Sequence, residues 1–222
     1  MTVLVLLLFL ILTVLLPLLF SELVLASLEK LHLSSSSAIA VMIAMFFGGL
    51  INIPVTSIRQ DKNVASNLLA VYGLADFWPQ IERKTQQTII AVNFGGCIVP
   101  VGLALYEIGY LAVYNSRALI LGLAGCLVNI GVCYFVARPV KGVGIAMPGL
   151  VSPAIATLLA LLLAPDATAP VAFIIGVLGP LIGADLLHLK DIDAAETGMA
   201  SIGGAGTFDG IVLSGIVAAY LA

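Results

Sequence analysis

Apolar stretches of about 20 residues, the length a helix needs to cross the hydrocarbon core of a bilayer, recur along this chain with short polar gaps between them. Seven such spans are expected, at 2–27, 37–58, 87–112, 118–137, 143–164, 168–188 and 205–222. The pattern predicts an all-α fold: a polytopic transmembrane bundle of about seven helices, forming a single integral membrane domain over residues 1–222. Composition excludes the main rival, a soluble globule. Only 9% of residues are charged and 61% are hydrophobic, whereas a soluble domain carries about 25% charged residues. A net charge of −3 provides no basic face for nucleic acid. The lipid bilayer is the first expected partner. The leading Leu-rich run is longer than the apolar core of a secretory signal and has no basic segment before it, so it is read as a helix.

Basic residues are retained on the cytoplasmic side of a membrane, so their distribution among the connections predicts orientation. The connections on the side of the N-terminus hold Arg59, Lys62, Arg83, Lys84, Arg138, Lys141 and Lys190, and those on the other side only Lys30 and Arg117. The expectation is a protein of the cytoplasmic membrane with its N-terminus inside and C-terminus outside. The sixth span then descends toward the cytoplasm and the seventh climbs away. In the longest gap, DFWPQIERKTQQ reads either as a plain connection or, through Phe77, Trp78 and Pro79 beside basic residues, as an interfacial segment. FFGGLINIPV at 46–55 and NFGGCIVPV at 93–101 form a weak internal echo, of the kind inverted repeats leave in transporters.

An ionisable side chain inside the hydrocarbon costs at least about 2.5 kcal/mol, so each one asks for a partner or a purpose. Glu22 and Glu107 fall near span ends and are read as reaching the interface. Asn93 and Asn129 are read as hydrogen-bonding between helices. Cys97, Cys126 and Cys133 lie in apolar stretches without ligand spacing and are read as small packing residues. Asp185, about one turn before the sixth span ends, and Asp209, about one turn after the seventh begins, share one depth. Gly179 with Gly183, and Gly206 with Gly210, have the spacing that lets helices approach closely. If the two carboxyls meet, they share one proton, the arrangement in which one carboxyl acts as base on water and the other as acid toward a carbonyl. Two other readings stay open. The pair, joined by a loop carrying Asp191, Asp193 and Glu196, fits solvated interface groups; Asp185 and His188 at i and i+3, with Asp209, fit a cation or proton site of a small transporter.

At these residues the sequence resembles the presenilin and signal-peptide-peptidase class of intramembrane aspartyl proteases. In that class one catalytic Asp ends a descending helix and the second lies in a GxGD motif opening the next. Here the residues ending at Asp185 read IGAD and those ending at Asp209 read GTFD, followed by the apolar run GIVLSGIVAAYLA. A Pro-Ala-Leu signature of the class is similar to Pro148, Gly149 and Leu150 in MPGLVSPAIATLLALLL, which precedes the other two elements as in a permuted order. The resemblance implies Asp185 and Asp209 as catalytic residues, and Pro148, Gly149, Leu150 and Gly206 as substrate-binding ones. It implies transmembrane protein substrates, and neither metal nor organic cofactor. Strings such as INIPV, FGGCIVP and GADLL also resemble a prokaryotic membrane family, the domain of unknown function 1614, which implies no activity.

Overall fold

The computed structural model describes residues 18–64, 82–140, 144–192, 199–204 and 209–222. Within them the chain is mostly helical, with seven helices. These are α1 (18–29), α2 (Ser35–Gly48), α3 (Phe94–Tyr114), α4 (Ser116–Val136), α5 (Val151–Leu163), α6 (Pro165–Leu186) and α7 (Gly210–Leu221). Three of them, α3, α4 and α6, are long and apolar enough to cross a membrane; α2, α5 and α7 are shorter apolar helices. Their starts are written locally. Ser34 accepts the Ser37 N–H, Asn115 the Ala118 N–H and Asp209 the Ile211 N–H, each satisfying a donor that a helix start leaves orphaned.

The all-α expectation is corrected by five strands. Residues 49–58 and 87–93, expected as helix, belong instead to the turn after α2 and to an antiparallel ribbon of β1 (Asn52–Val64) with β2 (Glu82–Asn93). A hydropathy window sees only apolar length here. The backbone sees Gly48 and Gly49, then Pro54, which has no N–H to give a helix, and the β-branched Ile53 and Thr56 facing Val92 and Ile90. The register slips between Pro54 and Thr56, a bulge at Val55 next to the proline that cannot donate. Residues 76–81, with Phe77, Trp78 and Pro79, lie outside the described residues. β3 (Arg138–Val140) pairs with β4 (Gly144–Ala146), which takes the first part of the fifth expected span. β5 (Met199–Ile202) lies parallel to β2, giving the order β1-β2-β5.

α6 is the axle of the molecule, packed against α3, α4, α5 and α7, with every residue from Ala169 to Val177 buried. Gly179 and Gly183 do not make the contact with α7. They face α4, where an added Cβ would strike Asn129 and the Ile130 carbonyl; α6 and α7 touch at Gly176 and Gly215 instead. A fully buried polar chain locks the same helices. Asn129 Nδ2 donates to Ser152 Oγ and to the Ile175 carbonyl, both at 3.0 Å, and Ser152 shares a 2.6 Å bond with Ser214. Asn129 thus does bridge helices, as expected of membrane amides. The three cysteines are buried and free.

Connections segregate to two ends. One end collects Lys30, His32, Asn115 and the Asp166–Pro170 turn around one cavity, with Thr168 hydrogen-bonded to the Ala222 carbonyl. The other holds the β-ribbon, β4, β5 and the start of α7. Glu107, expected at an interface, is fully buried near the first end. It accepts the His32 backbone N–H at 3.0 Å and contacts His32 Nδ1 at 2.8 Å. The His32 ring stacks on Tyr110 with 3.6 Å between centroids. Glu107 is buried, but the His32 ring is partly exposed and the backbone N–H at position 32 still reaches Glu107 after truncation. His32→Ala is therefore expected to destabilise by about 1–3 kcal/mol, the cost of a buried acceptor left one partner short, and Glu107→Gln, which keeps an acceptor for the backbone N–H, by less. Thermal unfolding in detergent measures both; equal losses would reject the account.

Candidate active site

Asp185 lies where α6 departs from α-helical geometry. From Gly179 to Leu186 the helix is π-like, and the Leu187 N–H reaches back five residues to the Ile182 carbonyl at 3.0 Å. Pro180 within this stretch cannot donate and crowds the carbonyl four residues earlier, which favours the wider turn. Such bulges re-aim side chains and occur often at functional sites. Asp209 sits in extended conformation immediately before α7, and its Oδ2 accepts the Ile211 N–H at 2.8 Å. Each carboxylate is placed by a local irregularity at the same end of the molecule.

The two acids border the same two cavities. The larger, about 380 Å³, is walled by β5 from Met199 to Ile202, by Gly144 and Ile145 of β4, and by Ile192 and Gly204. The smaller, about 160 Å³, lies between Ile145–Met147, Pro180 and Ala184 of α6, and Gly210 and Ile211 of α7. Gly203 lies between Ile202 and Gly204 in the wall of the larger cavity, with its backbone close to the Asp185 carboxyl.

The remaining expected residues distribute as follows. Pro148, Gly149 and Leu150 are exposed at the entry to α5, with Gly149 beside Leu213 of α7; the preceding residue, Met147, lines the smaller cavity. Gly206 lies outside the described residues. His188 borders neither cavity. Its Nδ1 is 3.1 Å from the Gly183 carbonyl and its ring lies against Tyr134, at 4.8 Å between centroids. Among the described residues no three His, Cys, Asp or Glu side chains are grouped to hold a metal ion.

Sequence reasoning missed β4 and β5 as cavity walls. The only trace of β5 is the four-residue run MASI before Gly203 and Gly204, too short to declare itself without its partner β2, which was hidden inside an apolar span.

The chain belongs to the family DUF1614, proteins of unknown function, whose model matches residues 46–221. That segment contains both acids and every wall of the two cavities. No curated protein and no solved structure matches the chain.

Proposed function

We propose that this protein is a polytopic protein of the cytoplasmic membrane that hydrolyses peptide bonds of transmembrane protein substrates, with Asp185 and Asp209 as the acid–base pair. One observation carries the reading: both carboxyls border the same two cavities, at the end of the molecule where a strand lies open to the space in front of them. In the reaction, the ionised carboxyl takes a proton from water as its oxygen attacks the scissile carbonyl. The protonated partner gives its proton to the carbonyl oxygen, forming a tetrahedral diol. In the collapse of the diol one hydroxyl returns its proton to the partner carboxylate, the C–N bond breaks, and the proton held by the base passes to the leaving amine. The pair itself activates water, so the chemistry needs neither metal nor organic cofactor.

A substrate helix hides its carbonyls in internal hydrogen bonds, so it must unwind before it is cut. The wall made by β5, paired among the described residues to β2 on one edge only, offers main-chain groups to an extended segment, and apolar Met199 and Ile202 suit a segment drawn from a membrane.

The reading is tested by reconstituting the protein in vesicles with a membrane-helix reporter and following both cleavage and proton flux. Cleavage supports hydrolysis; flux without cleavage transfers both carboxyls to proton or cation transport. Orientation is tested separately. Glu196→Cys is expected to label only from the cytoplasm and Ala222→Cys only from outside. The opposite pattern would invert the topology derived from the seven basic residues on one side and two on the other.

A further inference from the structure

The two echoing segments, FFGGLIN at 46–52 and NFGGC at 93–97, meet in space in mirror order at the base of the β1–β2 ribbon, where Asn52 pairs with Asn93. Their glycines stack backbone on backbone. A Cβ on Gly95 would strike the Met45 carbonyl and the Gly49 nitrogen, and one on Gly48 would come within 3.0 Å of the Gly95 Cα. Asn93 ties the crossing from both sides. Its Oδ1 accepts the Gly96 N–H at 2.7 Å, while its Nδ2 donates to the Gly49 carbonyl at 2.8 Å and to Asn52 Oδ1 at 3.0 Å. Asn52 Oδ1 in turn accepts from the Ser201 hydroxyl of β5.

The free face of this knot is pressed onto the turn that leaves β5. A Cβ on Gly96 would overlap the Gly203 carbonyl oxygen, and one on Gly203 would lie 2.6 Å from the Gly96 carbonyl carbon. Gly203 also has φ +70°, the left-handed region where glycine alone is free of strain. Its chain neighbours Ile202 and Gly204 line the same cavity as Asp185, which brings its backbone close to that carboxyl. A path of hydrogen bonds and side-chain-free contacts thus runs from Asn93 through Gly96 to Gly203, in the wall of the cavity that Asp185 borders. Glycine within a helix start costs about 1 kcal/mol relative to alanine, so the close approach at Gly96 needs a return.

We propose that Asn93 and Gly96 are positioning residues for Asp185, acting through the backbone of Gly203. The catalytic consequence rests on the proteolytic reading above; the geometric claim does not. Displacing a reacting group by about 1 Å costs on the order of 10²-fold in rate, so a small push on Gly203 has a large effect.

The experiment compares the parent with Gly96→Ala, Asn93→Ala, Asn93→Ser and Gly102→Ala, the last placing its methyl in open space. Two readouts are taken. One is the infrared band of the Asp185 carboxyl, isolated by subtracting the spectrum of Asp185→Asn; the other is kcat and KM for the membrane-helix reporter. Gly96→Ala and Asn93→Ala are expected to shift the band and lower kcat about 10²-fold with little change in KM. Asn93→Ser keeps an acceptor for the Gly96 N–H and should restore both, and Gly102→Ala should alter neither. A folded Gly96→Ala protein with the parent's Asp185 band overturns the proposal. If Gly96→Ala does not fold, a parent-like band in Asn93→Ala, or the same shift in Asn93→Ser, overturns it. A shifted band in these variants, when the parent itself cleaves nothing, leaves positioning intact and rejects proteolysis.

Discussion

Asp185→Asn and Asp209→Asn are each expected to lower cleavage of a membrane-helix reporter by about 10²–10⁴-fold, the range that a positioned acid or base contributes. The double variant should be little worse than either single one, because groups acting as a unit are not additive. Asparagine is the informative substitution. It is nearly isosteric, and at position 209 it still accepts the Ile211 N–H that Asp209 Oδ2 now holds at 2.8 Å, since Asn and Asp cap helices about equally well. Loss of activity in a normally melting Asp209→Asn protein therefore reports chemistry rather than folding. The parent should also show a bell-shaped pH profile, because the pair works only while it holds a single proton. Cleavage that survives both substitutions would sink the proteolytic reading.

The second large effect is structural. Gly176→Leu is expected to destabilise the protein by at least about 3 kcal/mol, the upper part of the range for overpacking. An added Cβ at Gly176 would stand 2.7 Å from the Ser214 carbonyl oxygen and 3.0 Å from the Gly215 Cα. Backbone atoms of a packed helix cannot swing aside as a side-chain tip can. The strain would also separate the helices carrying the two acids and stretch the 2.6 Å Ser152–Ser214 bond beside them. Gly109→Ala, in open space on α3, is the control and should melt with the parent. Reversible unfolding in mixed micelles checks both; a Gly176→Leu protein as stable as the control would show that α6 and α7 can part at no cost.

Much of the architecture was legible in the chain for a simple reason: apolar length and helix caps are local. The spans expected at 118–137 and 168–188 correspond to α4 and α6 within a few residues, because an uninterrupted apolar run of that length has few alternatives to a helix. Asp185 and Asp209 stood out for the same kind of reason, as charges in stretches where a charge is expensive.

What the sequence alone could not determine depends on partners distant along the chain. β2 reads as part of a helical span until β1 and β5 lie on either side of it, since the same Thr, Ile and Val run serves either state and only cross-strand packing decides. The spacing of Gly179 and Gly183 told of a close approach but not to which helix, and tertiary packing assigned it to α4. Glu107 was an interfacial acid by position until the fold laid His32, 75 residues away, against it. The echo of FFGGLIN and NFGGC was visible in the chain, yet its meaning was not. Glycine repeats record that something passes close, and only the folded backbone, crossing itself at Gly48 and Gly95 and pressing Gly96 on Gly203, determines what that something is.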